Sequence, residues 1–125
     1  MSVWSKVIQT APGTALAGED LTAGDLVCLK DSDGKLYQAD ANGSSTYPCV
    51  GAAELDTDSG SAVSLVTEGW RCDGSSLKEG TACYLSTTAG AMTQTVAGTT
   101  PQVVGWGFST TMWYFHPYLA YNVPN

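Results

Sequence analysis

A pattern of turn and apolar positions recurs along this chain, and that repeat limits its possible folds more than any other feature. Leu21-Thr22-Ala23-Gly24-Asp25-Leu26-Val27-Cys28-Leu29 matches Leu77-Lys78-Glu79-Gly80-Thr81-Ala82-Cys83-Tyr84-Leu85 at an offset of 56 (77 − 21). The same offset places Gly34 on Gly90, Leu36 on Met92, Gln38 on Gln94 and Ala41 on Ala97. After a shortened loop, Pro48-Cys49-Val50-Gly51 falls on Gln102-Val103-Val104-Gly105. Turn positions and apolar positions agree together, which is how a repeated supersecondary unit reads in sequence.

Each unit has a local physical reading. Leu-x-x-Gly ends in a turn that needs the freedom of glycine, and a strand follows. Asp31-Ser32-Asp33-Gly34 reads as a hairpin turn, with Asp-Gly favoured where both central residues take positive φ. Ser86-Thr87-Thr88-Ala89-Gly90 is its looser counterpart. Strands are expected over 35–39 and 91–95, with further strand material over 62–67 and 69–74. No stretch carries a 3.6-residue apolar period over three turns. Short strands joined by Gly-rich turns predict an all-β fold, a compact β-barrel or sandwich built from two similar turn-strand-hairpin units with extended terminal arms. A length of 125 residues suits one domain.

The ends differ from the middle. Thr10-Ala11-Pro12-Gly13-Thr14-Ala15 suits an extended arm, whereas the last twenty residues hold Trp106, Phe108, Trp113, Tyr114, Phe115, Tyr118 and Tyr121. Those are seven of the twelve aromatic residues (four Trp, six Tyr, two Phe). Pro117 and Pro124 argue against a central strand in the final segment. The expected division is an N-terminal extended arm over 1–17, a β-barrel-like domain over 18–112 and an aromatic C-terminal tail over 113–125. Candidate protein-interface residues are Val3, Trp4, Val7 and Ile8 from the arm, with Trp113, Tyr114, Phe115, Tyr118 and Tyr121 from the tail.

Charge narrows the partners. Twelve acids against five bases give −7, which opposes binding to nucleic acid or to an anionic membrane. No apolar run approaches the roughly 20 residues of a membrane span, and Met1-Ser2-Val3-Trp4-Ser5-Lys6 is not followed by a signal-peptide block. The expectation is synthesis and retention in a cytoplasm, or carriage outward inside something larger. Cys28, Cys49, Cys72 and Cys83 include no C-x-x-C clamp, so buried free thiols are expected and neither a metal nor another cofactor.

Catalytic chemistry finds little to work with. His116 is the only histidine, and no Gly-x-Ser-x-Gly elbow accompanies it. Asp56-Thr57-Asp58-Ser59-Gly60 alternates oxygens but lacks the remaining ligands of a calcium loop, so it reads as a turn. Glu19 with Asp20, or Glu54 with Asp56, would have to share a cleft to act as a glycosidase pair. Gly105-Trp106-Gly107 lacks the rest of a phosphate loop. No catalytic residue and no small-molecule substrate is expected. The aromatic cluster fits a desolvated interface, a core, or a platform for stacking sugars.

Residues 18–40 (GEDLTAGDLVCLKDSDGKLYQAD), 50–69 (VGAAELDTDSGSAVSLVTEG) and 77–95 (LKEGTACYLSTTAGAMTQT) together resemble the small capsid decoration, or cement, proteins of tailed bacteriophages. The resemblance spans about residues 18–111 and lies in turn-and-strand grammar. It implies a β-barrel-like module on the outer surface of the virion, made in the host cytoplasm. There it would bind the major capsid protein between subunits, as a homotrimer at local three-fold positions, and resist the pressure of packaged DNA. The aromatic tail after Ser109 and the four cysteines lie outside the family pattern, and no contact residue carries over. The alternative is a carbohydrate-binding module of a head fibre or tail, using Trp70, Trp106 or Trp113. A small hydrolase is the third reading.

Overall fold

The computed structural model describes residues 3–11 and 15–119. The chain is all-β. Its strands are β1 (Trp4–Thr10), β2 (Leu26–Leu29), β3 (Leu36–Gln38), β4 (Gly51–Ala53), β5 (Leu65–Arg71), β6 (Ala82–Leu85), β7 (Met92–Thr93), β8 (Val103–Gly107) and β9 (Trp113–Phe115). All join one curled antiparallel sheet of order β3-β2-β4-β5-β9-β8-β6-β7, with β1 also paired to β5. A 3-10 turn at Ser44–Thr46 is the one helical element among the described residues.

The duplication holds to the register of the ladders. β2 pairs with β3 and β4, and β6 pairs with β7 and β8. Leu29↔Leu36 in the first unit answers to Leu85↔Met92 in the second. Val27↔Gly51 and Leu26↔Ala52 answer to Cys83↔Gly105 and Ala82↔Trp106. The outer strand of each unit then pairs with a further strand, Ala52↔Val66 in one and Trp106↔Tyr114 in the other.

β5 joins the two units. Val66 pairs with Thr10 of β1 and Ala52 of β4, whereas Gly69, Trp70 and Arg71 pair with β1 and with β9. One edge of β5 therefore carries β1 throughout, and the other carries first β4 and then β9. Between them the inward side shifts out of alternation, from Val66 to Gly69, and the β1 register slips beside it. Such a slip bends a strand. The bend folds the two units toward each other, so they meet on opposite faces of the repeat. Leu26, Cys28, Ala52 and Val66 of the first unit share a core with Cys83, Leu85, Val104, Trp113 and Phe115 of the second. The other face of the first unit (Val27, Leu36, Ala53) is sealed by Ala17, Leu21 and Val63 in a second cluster.

A buried cation locks the seam. Arg71 is 4% exposed, and its guanidinium lies between the Trp4 ring (5.0 Å) and the Trp113 ring (4.8 Å). Nη1 donates to the Gly24 carbonyl (2.8 Å), while Nε and Nη2 donate to the two Asp73 oxygens (3.1 and 2.6 Å). Trp113 Nε1 donates to Asp73 as well (3.2 Å). Glycine makes room for the rings: a Cβ on Gly105 would meet the Tyr114 carbonyl at 2.1 Å and the Trp113 ring at 3.0 Å.

Several expectations change in detail. Only Gly34 takes positive φ (70°) at the first hairpin tip, where its N–H donates to the Lys30 carbonyl. The turn is thus a longer loop closed by one left-handed glycine, not a two-residue turn. The expected boundaries at 17 and 113 also fail to mark structural breaks. β1 pairs along β5 and places Trp4 in the core, because the Trp4 ring is needed over Arg71 and Gly69. β9 is an inner strand between β5 and β8, ending at Phe115 before Pro117 interrupts the ladder. Arg71→Ala should lower the unfolding free energy in urea by about 3 kcal/mol, since it leaves a cavity between the Trp4 and Trp113 rings and the buried Gly24 carbonyl without its donor, whereas Asp73, about a third exposed, turns to water. Arg71→Lys should lose less, keeping the charge without the fork. A loss under about 0.5 kcal/mol for the alanine variant, the range of a neutral surface change, would show that the seam does not depend on this cation.

Candidate functional site: an exposed aromatic face

The same alternation that buries Trp113 and Phe115 turns Tyr114 outward. It meets Trp70 of β5 on one side and Trp106 of β8 on the other, so three large rings cross the outer surface in one row. The Trp70 and Tyr114 rings are 4.7 Å apart, and Phe108 meets Trp70 edge-on at 5.1 Å. His116 follows Tyr114 at 6.3 Å, and Tyr118 follows His116 at 6.0 Å. These are stacking and edge distances typical of aromatic pairs. Trp106, Phe108 and Tyr118 remain 50%, 64% and 61% exposed.

A bulge in β8 extends this face. Cys83 pairs with Gly105 but Tyr84 with Val103, so Val104 drops into the core while Val103 stays on the outer side. The Val103 carbonyl then accepts from the Tyr118 N–H (2.9 Å). Gln102, 5% exposed, fixes the same corner: Oε1 accepts from the Cys49 N–H (2.7 Å), and Nε2 donates to the carbonyls of Cys49 (2.9 Å) and Tyr118 (3.1 Å). Beyond Tyr118 the face continues into a shallow, mostly apolar hollow of about 300 Å³, with Tyr47, Tyr84, Val96 and Pro101 around it. No residue of the row or the hollow carries a carboxylate, although the chain is strongly acidic.

The expected interface residues separate into three groups. Tyr114 and Tyr118 lie on this face. Trp4, Trp113 and Phe115 are core residues, and Val3 and Val7 pack partly against the same core. Ile8, 45% exposed, stands on β1. Tyr121 lies outside the described residues. Sequence reading did not add Tyr47, Tyr84, Val96 or Val103 to the cluster, because only the fold brings them beside it. The repeat held a signal for part of it: buried Cys28, Ala52 and Val66 of the first unit correspond to Tyr84, Trp106 and Tyr114 of the second.

The polar candidates have local partners. Asp56 accepts the Ala23 N–H (2.8 Å), Asp20 the Ser59 N–H (2.9 Å) and Glu19 the Gln38 N–H (2.8 Å). Glu54 accepts from the Ser64 hydroxyl (2.7 Å). They tie the turns of the first unit. Among the described residues, no three His, Cys, Asp or Glu side chains group as a metal site. Comparison with protein-family models finds no match, and comparison with curated proteins finds no similar sequence.

All four cysteines are unbridged, and Cys28, Cys49 and Cys83 are buried. Burial pushes the Cys49 thiol up to about 12 and the Cys83 thiol up to about 11, and raises Cys28 too. The folded state thus keeps protons that the unfolded state releases near the ordinary value of 9.0. That contribution to stability is complete below about pH 9 and is lost as pH climbs toward 11 and 12. Native protein should therefore expose Cys72 alone to a thiol reagent at neutral pH, with the other three reacting only on unfolding. Its urea midpoint should fall above pH 9. Fast reaction of two or more thiols in the native state would contradict the packing described.

Proposed function

We propose that this chain is a capsid decoration protein that binds the outer surface of an assembled phage head, between major capsid subunits, as a homotrimer. The observation that carries this reading is the uncharged aromatic face on a rigid two-unit sheet. Large rings bury about 150–250 Å² each, so half-exposed rings in one row offer several hundred Å². That supplies a substantial part, up to about half, of the roughly 800 Å² per partner of a stable protein contact. The repeat grammar of decoration proteins points the same way. Repetition over a shell would turn a modest contact into a large total, and the acidic remainder of the surface would oppose association through other faces.

The purified chain should bind expanded heads of the phage that encodes it, saturably, and raise the temperature at which those heads release DNA. Pelleting with the heads and a fluorescence melt of the packaged DNA measure both. Heads that neither pellet the chain nor melt later in its presence would remove the proposal.

One observation favours a second reading. Trp106 stands half-exposed on the outer row, where a sugar ring could stack on it, whereas Trp70 is flanked by the Tyr114 and Phe108 rings and Trp113 is buried and drops out of that set. A carbohydrate-binding module would show saturable glycan binding that Trp106→Ala weakens at least about tenfold, the loss of one stacking contact. A blank glycan array would end this reading and leave the first untouched.

A further inference from the structure

The two units differ in how their outermost strands end. In the first, the outer edge of β3 is closed by an extended segment of the chain itself. The Leu36 N–H donates to the Leu16 carbonyl (2.8 Å), the Leu36 carbonyl accepts from the Gly18 N–H (2.8 Å), and Ala17 bridges Leu36 in parallel. The Gln38 N–H then donates to Glu19 (2.8 Å). β7 is the counterpart of β3. Its main-chain groups at Met92 and Gln94 point outward in the same way, because Leu85, opposite Met92, turns its own N–H to the Gln102 carbonyl on the far side of β6. By the offset of 56, the segment that would close this edge is Cys72-Asp73-Gly74. It is held elsewhere: Asp73 clamps Arg71, and the Gly74 N–H donates to the Thr111 carbonyl (3.0 Å). Among the described residues none takes its place, and a hollow of about 290 Å³ lies there, between Met92, Gly24, Asp25, Asp73 and Trp113.

We propose that this edge is a strand-addition site, which takes an extended segment of a partner protein as a parallel strand on β7. The first unit supplies the pattern of the fit: an acceptor for the Met92 N–H, a donor for the Met92 carbonyl and an acceptor for the Gln94 N–H. Main-chain bonds of this kind are how an open sheet edge captures a peptide. The walls select the occupant. Asp25 Oδ1 faces Gly90, two residues before Met92, so a lysine or arginine just ahead of the pairing residues would meet a carboxylate there. An acidic chain favours such a basic segment from a distance as well. Glycine is not required of it. Gly18 lies under the Tyr37 ring, where a Cβ would come within 2.1 Å, but Thr93 stands where the first unit has Tyr37. The site uses no residue of the aromatic row and stands whatever that row binds.

The test is amide NMR of the full-length protein. Without ligand, the Met92 and Gln94 amides should exchange with solvent at least about a hundredfold faster than those of Leu36 and Gln38. The probe is a synthetic peptide copying residues 15–20 with Ala15→Lys. It should shift the Met92 and Gln94 amides saturably, with a dissociation constant in roughly the millimolar range, since three main-chain bonds and one exposed ion pair give no more. The same peptide with Gly18→Pro lacks the donor for the Met92 carbonyl and should bind at least about fivefold more weakly. Keeping Ala15 should cost roughly two- to fivefold. In the protein, Met92→Pro removes the outward N–H at an edge position and should abolish binding. If that variant loses its urea transition, the peptide comparisons decide. Slow exchange at Met92 in the free protein would mean that the chain covers this edge itself, and it overturns the proposal. So does a peptide that leaves both amides unmoved, or one that binds equally well with Gly18→Pro. No heads enter the assay, so its outcome is independent of the capsid reading.

Discussion

Arg71 is the point on which the rest of the architecture hangs. A guanidinium taken out of water costs several kcal/mol unless its donors and charge are met. Here Nε, Nη1 and Nη2 each find an acceptor, both flat sides find an indole, and Asp73 supplies the counter-charge. Those partners come from β1, from β9, from the Leu-x-x-Gly turn of the first unit and from the chain just after β5. Satisfying one side chain therefore fixes four separated segments. An apolar residue of similar volume could fill the space, but it would not demand that Trp4, Gly24 and Trp113 arrive together. The rings in turn need glycine beneath them, which explains why Gly69 and Gly105 flank Phe115 on the two neighbouring strands.

From that seam follows an unequal use of two similar units. Both are three-strand ladders with the same register, yet the bend in β5 presents opposite faces of them to one core. The first unit is then enclosed on both sides, and its residues are small: Val27, Cys28, Ala52, Ala53. Among the described residues the second is enclosed on one side only, and its other side carries Tyr84, Trp106 and Tyr114. Similar backbones thus support one half sealed on both sides and another whose outer side is left exposed among the described residues. Large rings cost no backbone rearrangement there, because the outer side of a pleated strand accepts any length of side chain.

The repeat was legible in sequence because turns and strand starts are local: Gly24 and Gly80, or Gly34 and Gly90, recur at a fixed offset. The all-β class followed from the same pattern. The division of roles within the aromatic cluster was not legible. Trp113-Tyr114-Phe115 alternates by strand geometry, but which parity points inward depends on Gly69 and Gly105, one of them far away in the chain. Reading Pro117 as barring a central strand missed that three residues suffice for β9, which stops at Phe115, two positions earlier. The arm over 1–17 was misjudged for a related reason. Thr10-Ala11-Pro12-Gly13-Thr14-Ala15 suits an arm, and only the partnership of Trp4 with Arg71 makes the strand before it part of the core. Nor could the hollow be foreseen, since Tyr47, Tyr84 and Pro101 converge only once the two units close.

An exposed aromatic face of this extent sets a constraint of its own. Contiguous apolar patches beyond a few hundred Å² draw copies together indiscriminately unless something else keeps them apart. The excess of seven negative charges supplies a repulsion that acts at long range in every orientation except those that bring uncharged surface to uncharged surface. Shape then selects among those orientations, because the row is held rigidly by cross-strand pairs and Tyr118 is pinned by Gln102 and Val103. Repulsion over most of a molecule with attraction over one fixed face is a combination that favours ordered contact over precipitation. Both halves of it come from how the duplicated unit was used: acids fill turns, where they accept from backbone N–H groups, and aromatic rings fill the side that no described segment covers.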